Sequence, residues 1–366
     1  MQIVLLEPYS TGSHAAWAAG YAAHSRHEVV RLELPGRFWK WRMHGGAVTL
    51  AREFRQHDLQ PALLLATDML DLTTFLALAR PETATIPAAL YFHENQLTFP
   101  PPPGTRRDLH YGFINYASAL AAAALFFNSR FHREEFFDEL PRLLKHFPDY
   151  NELDTIGRLR ARAHVLEPGV ALDRFDAHRP ATPRKGPLTI LWNHRWEYDK
   201  NPAEFFAALR RLAEENRPFE VIIAGESFRQ KPEEFLTARA WLGSQVRHFG
   251  YAEDFATYAR LLWEADLQVS TARHEFFGLA TIEAIYCDCF PILPDRLVYP
   301  EYIPTETRDL VLYRGFEALV DRLRWAIQNP DAVRAFTLRP AVARFAWEQM
   351  APHYDEVLSA LVRATQ

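Results

Sequence analysis

Two glutamates eight residues apart are the side chains best suited to carry chemistry in this sequence. They flank a Phe-Gly-Leu turn in the segment Glu275-Phe276-Phe277-Gly278-Leu279, which continues to Glu283. The pattern predicts a helix over 277–287 after a strand, so backbone N–H groups at the start of the helix offer an anion site. Glu275 can reach sugar hydroxyls, and Glu283 can accept hydrogen bonds from ribose hydroxyls. The alternative for Glu283 is a solvated helix residue, although its neighbours are apolar.

Two cations form a second candidate group. Arg195 and Lys200 stand five residues apart, between a predicted strand and a predicted helix. Fixed cations beside a helix N-terminus suit a pyrophosphate, because a guanidinium forks onto two oxygens and an ammonium supplies a point charge. The alternative is a surface loop with salt bridges. Gly225, where the next predicted strand ends, completes the candidate donor site.

Polar residues also follow strands in the first half of the chain. His93-Glu94-Asn95-Gln96 come directly after the predicted strand 88–92, and Gly12-Ser13-His14 lie where the first helix is predicted to begin. A lone histidine after a strand is often structural, but four polar residues in an apolar context favour a binding role. The alternative for Ser13 is simple helix N-capping.

A basic and aromatic segment, 37–46, is predicted to be a loop ahead of a helix over 47–56. It interleaves cations with aromatic rings: Arg37, Trp39, Lys40, Trp41 and Arg42. Contacts with RNA need this mixture, since bases stack on aromatic rings and phosphates pair with cations. The alternative is an amphipathic loop whose aromatic side chains are buried.

These candidate residues stand at the ends of short apolar runs, which alternate with helix-length segments along the 366 residues. The alternation predicts an α/β fold of two Rossmann-like, doubly wound parallel sheets. A proline-rich stretch, 176–187, is the predicted linker. We therefore predict an acceptor domain over 1–178 and a donor domain over 187–340, facing across a cleft. A C-terminal helix, 341–366, is predicted to pack back on the first domain.

Composition excludes several other classes of protein. A net charge of −5 gives no global basic field for nucleic acid, although a local patch remains compatible with it. No apolar run is long enough to span a membrane and no signal peptide is recognisable, so we expect a cytoplasmic protein. Cys287 and Cys289 lack a second Cys/His pair, and no Asp-x-Asp element follows a strand, so no metal is predicted. Neither half has the Gly-x-Gly-x-x-Gly fingerprint of a dinucleotide-dependent oxidoreductase.

Together, the two donor motifs resemble the nucleotide-sugar site of GT-B glycosyltransferases of the family 4 type. Within that group, several blocks look like those of the tRNA-queuosine α-mannosyltransferases. The blocks are Glu7-Pro8-Tyr9 with Gly12-Ser13-His14, Tyr91 to Leu97, His194 to Glu197 with Asp199-Lys200, and Leu297 to Glu301. The resemblance spans nearly the whole chain.

The resemblance implies a retaining transfer of mannose from GDP-mannose to queuosine in the anticodon of an aspartate tRNA. Arg195, Lys200 and the N–H groups near Gly278 would stabilise the leaving diphosphate, so no metal or other cofactor is expected. His93 would contact the donor sugar or the reacting centre. The tRNA would approach the first domain at the polar and basic-aromatic segments described above.

Two positions depart from the family's pattern. Thr11 replaces a Gly in the first loop, and Asp288 stands where a Gly usually precedes a strand. An Asp tolerates left-handed backbone better than most residues. Two rival functions stay open: a family 4-type transferase acting on a small glycan or lipid, and a catalytically silent RNA-binding GT-B protein.

Overall fold

The chain divides into two units in the computed structural model, which describes residues 1–101, 104–182, 184–226 and 232–365. Met1–Ala171 and Phe345–Gln366 form the first unit, and Leu172–Arg344 form the second. Each unit is built on one six-stranded sheet whose strand pairs are all parallel. The α/β class and the two parallel sheets are therefore as the sequence predicted.

The first sheet has the order β2-β1-β3-β4-β5-β6, and the second has the order β12-β11-β10-β7-β8-β9. The strands are β1 (Gln2–Ser10), β2 (Glu28–Pro35), β3 (Leu63–Thr67), β4 (Ala88–Phe92), β5 (Ala124–Phe127), β6 (Ala163–Val165), β7 (Leu188–Trp192), β8 (Phe219–Ala224), β9 (Val246–Gly250), β10 (Leu267–Val269), β11 (Phe290–Pro294) and β12 (Leu312–Tyr313).

Helices connect the strands of both sheets. They are α1 (Gly12–His24), α2 (Trp39–Gln56), α3 (Leu72–Leu78), α4 (Leu109–Ala121), α5 (Arg130–Lys145), α6 (Thr155–Ala161), α7 (Pro202–Glu214), α8 (Glu233–Leu242), α9 (Phe255–Glu264), α10 (Leu279–Tyr286), α11 (Tyr299–Tyr302), α12 (Arg308–Val311), α13 (Phe316–Gln328), α14 (Pro330–Ala335), α15 (Arg339–Ala343) and α16 (Trp347–Thr365). Among the residues described, no helix combines the length and the apolar character needed to cross a bilayer.

Both faces of the first sheet are buried, as a doubly wound fold requires. Side chains alternate along a strand, so Ile3 and Leu5 join one apolar cluster while Val4 and Leu6 join the other. The C-terminal helix α16 packs on the Ile3 side through residues such as Tyr354. Such a parallel sheet brings the carboxyl ends of its central strands to one edge, where ligands of this fold class bind.

The division between the units falls earlier than the sequence predicted. The proposed linker, 176–187, belongs to the second unit because its side chains and those around it are tied to that unit. Trp263 Nε1 donates to the carbonyl of Phe175 at 2.7 Å, and Arg184 Nη2 donates to the carbonyl of Cys287 at 2.9 Å. Asp288, ahead of β11, has φ +59°, the left-handed backbone expected where the family usually carries Gly.

The predicted loop over 37–46 is wrong for most of its length, because α2 begins at Trp39. The buried residues of α2, which include Met43, Ala47 and Leu50, recur at the three- and four-residue spacing of a helix. Trp39, Lys40, Trp41 and Arg42 therefore lie in the first turn of a helix, and Arg37 precedes it.

Candidate active site

In the second unit, the loops after β7 and β10 bring Lys200 and Glu275 into direct contact. Lys200 Nζ lies 3.1 Å from Glu275 Oε2 and 3.0 Å from Asp199 Oδ2. It also donates to the carbonyl of His274 at 2.9 Å. The two predicted donor residues thus belong to one ion cluster, in which Lys200 donates hydrogen bonds to Glu275 and the His274 carbonyl and forms an ion pair with Asp199.

The charges of this cluster are fixed. Burial opposes the charge of Lys200, but the carboxylates of Glu275 and Asp199 outweigh it and raise the pKa of the ammonium. Burial likewise opposes the charge of Glu275, but Lys200 and nearby histidines bring the pKa of this carboxyl down to about 2. Both groups are therefore ionised throughout the physiological range.

Arg195 differs from Lys200 in its surroundings. The Arg195 side chain is 48% exposed and lies 3.2 Å from the Glu197 carboxylate, whereas the Lys200 side chain is 8% exposed. A phosphate arriving from solvent therefore meets the Arg195 guanidinium more readily than the Lys200 ammonium. Sequence spacing alone made the two cations look equivalent.

The turn before α10 depends on Gly278. Its φ of +80° is a left-handed conformation, so α10 begins at Leu279 and not at Phe277 as predicted. The Gly278 N–H donates to Glu275 Oε1 at 3.1 Å, which orients the carboxylate toward the start of the helix. Phe276 and Phe277 are buried and anchor the turn.

Glu283 is half-buried in α10 and is not a solvated helix residue. Its Oε2 accepts a hydrogen bond of 2.7 Å from the hydroxyl of Tyr258, which in turn accepts from Asn193 Nδ2 at 3.2 Å. Burial raises the pKa of the Glu283 carboxyl to about 7, although the Tyr258 hydrogen bond opposes this shift. Sequence reasoning missed Tyr258, since nothing in the amphipathic pattern of α9 distinguishes this residue.

Gly225 has a steric role next to these residues. A Cβ atom at this position would overlap the carbonyl oxygen of His194, so the end of β8 can approach the loop after β7 only with glycine here. The close approach keeps that loop, and Arg195 within it, beside the end of the neighbouring strand.

The first unit holds a second cluster of charged and ionisable side chains. His14, in the first turn of α1, places Nδ1 3.0 Å from Oε2 of Glu7, which lies in β1. The His14 ring stands 4.2 Å from the ring of His93, measured between centroids. Two of the predicted site residues, His14 and His93, are thus neighbours, and Glu7 is an additional charged partner.

The two histidines differ in protonation. Burial lowers the pKa of His14, but the Glu7 carboxylate more than compensates and brings it to about 9. Burial and the positive His14 together hold the pKa of His93 well below its usual range. Ligand-type atoms of Glu7, His14 and His93 lie within 4.8 Å of one another. Because a proton already joins His14 to Glu7, the arrangement is best described as an ion pair beside a neutral imidazole.

Side chains from three other elements hold the turn that carries His93 to Gln96. Asp68 Oδ1, beyond the end of β3, accepts from the backbone N–H of His93 at 2.8 Å. Asn128 Nδ2 donates to the His93 carbonyl, and Asn115 Oδ1 accepts from the Gln96 N–H, both at 2.8 Å. Asp68 could have been found from the sequence, because it follows β3 as His93 follows β4.

The polar side chains of this turn also bond to one another. Gln96 Nε2 donates to Glu94 Oε1 at 3.0 Å. Asn95 is buried, and its Oδ1 accepts from the N–H groups of Leu97 and Thr98. Asn95 is therefore a structural residue of the turn, whereas His93 and Glu94 are only half-buried.

The start of α1 is shaped by Gly12, which has φ +50°. Thr11 is the N-cap and makes no side-chain capping hydrogen bond. Ser13 lies inside the first turn and is exposed, so it does not cap the helix. Thr11 therefore replaces a glycine at a position with extended backbone, and the left-handed position of this loop is still occupied by a glycine, Gly12.

The predicted acceptor segment is a helical surface with one aromatic ring turned inward. Trp39 is half-buried against Tyr111, with 5.0 Å between ring centroids, and Lys40 Nζ lies 5.6 Å above the Trp39 ring. Trp41 is 63% exposed. Arg42 Nε donates to the carbonyl of Pro35 at 3.1 Å, and Arg37 is exposed.

Comparisons with known proteins agree with the two-unit description. Residues 2–170 match the family model described as tRNA-queuosine alpha-mannosyltransferase N-terminal, and residues 173–338 match glycosyl transferases group 1. A tRNA-queuosine alpha-mannosyltransferase of Drosophila melanogaster is 33% identical over 98% of this chain and 96% of its own length. A GDP-mannose:cellobiosyl-diphosphopolyprenol alpha-mannosyltransferase of Xanthomonas oryzae is 25% identical over 55% of this chain and 54% of its own length.

Solved structures with the same fold are more distant in sequence. The Anabaena protein HepE, determined in complex with UDP, superposes with a TM-score of 0.67 at 13% identity, covering 98% of this chain and 100% of HepE. Sucrose-phosphate synthase of Thermosynechococcus elongatus gives a TM-score of 0.69 at 15% identity, with complete coverage of both chains.

The two parallel sheets and the group 1 glycosyltransferase match define the class of the protein as a GT-B glycosyltransferase. Within that class, the identity to the Drosophila protein along nearly the entire chain settles the family. The chain belongs to the tRNA-queuosine alpha-mannosyltransferase family.

Proposed function

We propose that the protein transfers mannose from GDP-mannose to queuosine in tRNA, with retention of configuration. The observation that carries the proposal is the match to tRNA-queuosine alpha-mannosyltransferases over both units. In the reaction, the bond between mannose C1 and the diphosphate breaks, and a bond between C1 and a hydroxyl oxygen of queuosine forms on the same face. The hydroxyl proton passes to the departing diphosphate oxygen on the same face, and GDP leaves.

The second unit supplies groups for the donor in this proposal. Arg195 and the N–H groups after Gly278 stabilise the charge that develops on the leaving diphosphate. Glu283, held by Tyr258, accepts hydrogen bonds from the ribose hydroxyls. Glu275, fixed by Lys200, accepts from hydroxyls of the mannose.

The first unit supplies groups for the transferred sugar and the acceptor. His93 is neutral, so it can hydrogen-bond a sugar hydroxyl without the desolvation cost of a buried cation. The surface at the start of α2 offers cations for phosphates and rings for bases. Queuosine in an aspartate tRNA anticodon is the expected acceptor within this proposal.

A direct test offers the protein several sugar donors and two forms of one tRNA. The purified enzyme is incubated with GDP-mannose, GDP-glucose or UDP-glucose and with aspartate tRNA that carries either queuosine or guanosine at the modified position. Nucleosides are released by digestion and weighed by mass spectrometry. We expect one hexose on queuosine, from GDP-mannose, and none on the guanosine tRNA. Failure of the queuosine tRNA to accept a hexose from any donor would refute the proposal.

The second candidate is mannose transfer to a lipid-linked glycan, favoured by the match to the Xanthomonas mannosyltransferase. That match covers about half of each chain, so it supports this candidate less than the match along nearly the whole chain supports the first. A cellobiosyl-diphosphopolyprenol acceptor in the same assay separates the two candidates, and product formed only there would favour the second.

A further inference from the structure

Trp41 is an exposed aromatic residue whose ring lies against the backbone of its own helix. It is 63% exposed, and a Cβ atom on Gly45 would lie 2.6 Å from Cε2 and Cζ2 of its indole. The ring therefore lies against the α2 backbone at Gly45, one turn further along the helix, where residues i and i+4 are neighbours. The indole is thus held against the helix near Cε2 and Cζ2, while most of the side chain remains exposed.

Phe38 lies three residues before Trp41 and is more exposed still. Its side chain is 79% exposed, and its backbone has φ +54°, a conformation that is uncommon for a bulky residue. The Phe38 carbonyl accepts hydrogen bonds from the N–H groups of Trp41 and Arg42, which fixes the residue at the start of α2. Two rings are thus presented to solvent within one turn, and burial in the fold accounts for neither.

The charge around the two rings suits a polyanion. Residues 36–52 contain four Arg and Lys and no Asp or Glu. Arg37 and Lys40 are exposed on either side of Phe38. Positive charge beside exposed rings is the combination used for single-stranded nucleic acid, because phosphates pair with the cations while bases stack on the rings.

A small apolar cluster connects this surface with the Glu7–His14 pair. Met43 of α2 and Tyr111 of α4 belong to the cluster, and Trp39 and Tyr9 pack against it. The Tyr9 N–H donates to Glu7 Oε1 at 2.8 Å. The start of α2, which carries the exposed rings, is therefore packed through Met43 and Trp39 against the part of the first unit that holds His14.

We propose that Trp41 and Phe38 are a stacking platform for unpaired bases of the RNA acceptor, with Gly45 as the seat of the Trp41 ring. The inference rests on the proposed function, since it assigns the contacts of the tRNA acceptor. The platform holds bases that flank the modified nucleoside in the anticodon loop, while the neighbouring cations hold phosphates.

The test compares tRNA binding by variants across a range of salt concentrations. Trp41→Ala should weaken binding of queuosine tRNA by roughly 10-fold, within the range measured for loss of one base–aromatic stack. The weakening should be equal at all salt concentrations, because stacking releases no counterions. The combined variant Arg37→Ser, Lys40→Ser, Arg42→Ser should instead flatten the salt dependence. Trp41→Tyr, which keeps a stacking ring, should bind nearly as well as the wild-type protein.

Gly45→Ala provides a variant that keeps the indole. Alanine favours helix more than glycine does, so α2 should not be weakened, but the new methyl group must displace the Trp41 ring. We expect a loss of tRNA affinity smaller than that of Trp41→Ala, because the ring is kept but leaves its position against the helix.

Tyr150 is a matched control in the same unit. Like Phe38, it is a strongly exposed aromatic residue, 88%, with left-handed backbone, φ +45°, but Asp149 and Glu152 flank it. Tyr150→Ala should leave tRNA binding unchanged, whereas Phe38→Ala should weaken it.

The outcomes distinguish the inference from the proposed function. If the wild-type enzyme mannosylates queuosine tRNA and Trp41→Ala, Phe38→Ala and Gly45→Ala all bind tRNA normally, the platform is refuted and the function stands. If the wild-type enzyme mannosylates the free nucleoside as efficiently as intact tRNA, the platform is refuted as well. If no transfer to tRNA occurs at all, the proposed function itself has failed.

Discussion

The Glu7–His14 ion pair makes the stability of the first unit depend on pH in a predictable direction. The pKa of His14 is about 9 in the folded protein against 6.5 for a solvated histidine. A group whose pKa is raised by folding contributes stability that is present in full below its unfolded pKa and is lost as pH rises through its folded pKa. The window of loss therefore runs from about pH 6.5 to about pH 9.

The size of the effect follows from the shift. One pKa unit corresponds to about 1.4 kcal/mol, so the shift of His14 corresponds to roughly 3 kcal/mol of unfolding free energy. Glu7→Gln removes the charge that raises this pKa and leaves the burial that lowers it. We expect the variant to be less stable than the wild-type protein by up to about 3 kcal/mol at pH 6.5 and by much less at pH 9.5.

Urea unfolding of both proteins, followed by circular dichroism between pH 6.5 and pH 9.5, measures this difference. Groups that titrate in both proteins cancel when the two free energies are subtracted, and so does the second unit. Glu94→Gln is the matched control, because Glu94 is a weaker contributor to the His14 shift. A difference between wild type and Glu7→Gln that stays constant with pH would refute the assignment of a protonated His14.

Three further predictions concern the donor site. Arg195→Ala should lower kcat by about 10²–10³-fold, as expected for loss of a preorganised charge, and Lys200→Ala should also lower kcat, because Glu275 loses the cation that holds it in place; steady-state turnover near wild type would contradict either expectation. Because Lys200→Ala leaves Asp199 and Glu275 without their cation, its folding is checked first by circular dichroism. Glu283→Gln should weaken GDP binding, measured by calorimetry. The GDP affinity of the wild-type protein should likewise fall as pH drops below about 7, because Glu283 then loses its charge. An unchanged GDP affinity in the variant would show that Glu283 does not bind the ribose. Activity should persist in excess EDTA, and loss that added Mg²⁺ restores would show that a metal is needed.

Strand positions were predictable because each strand gives two signals in the sequence, an apolar run and polar residues directly after it. The run 88–92 is apolar throughout and the run 188–192 is apolar except for Thr189, as expected for strands buried on both faces, and each stops at polar residues. Since parallel strands end at one edge of the sheet, the same rule placed His93 and Arg195 at candidate sites before any contact was known. The short runs also fixed the α/β class.

The start of α2 was not predictable by the same reasoning, because Gly45 and Gly46 suggest a loop. The structure shows why the helix tolerates both glycines. The Trp41 ring occupies the space beside Gly45, and Pro8 lies 2.9 Å from the position of a Cβ on Gly46. Trp41 and Pro8 pack into the space that side chains at these two positions would fill. This packing compensates for the low helix propensity of glycine.

The charge state of the candidate site also lay beyond the sequence. Lys200 and Glu275 are 75 residues apart, and only the fold brings them within 3.1 Å. The sequence indicated two similar cations for a pyrophosphate. Burial and ion pairing, which the sequence does not show, decide how strongly each cation can interact with a phosphate.

The contrast between Lys200 and Arg195 assigns them different tasks in the proposed reaction. The Lys200 ammonium already faces Asp199, Glu275 and a backbone carbonyl, so its positive charge is largely balanced before any substrate arrives. The Arg195 guanidinium is paired with Glu197 but is half-exposed, so a diphosphate arriving from solvent reaches it more readily than the buried Lys200 ammonium. Lys200 instead holds Glu275 ionised and in place, while the Gly278 N–H orients the other oxygen of the same carboxylate. In the proposed reaction, the Glu275 carboxylate would therefore be the rigid element of the donor site, and Arg195 would be the cation that responds to charge on the leaving group.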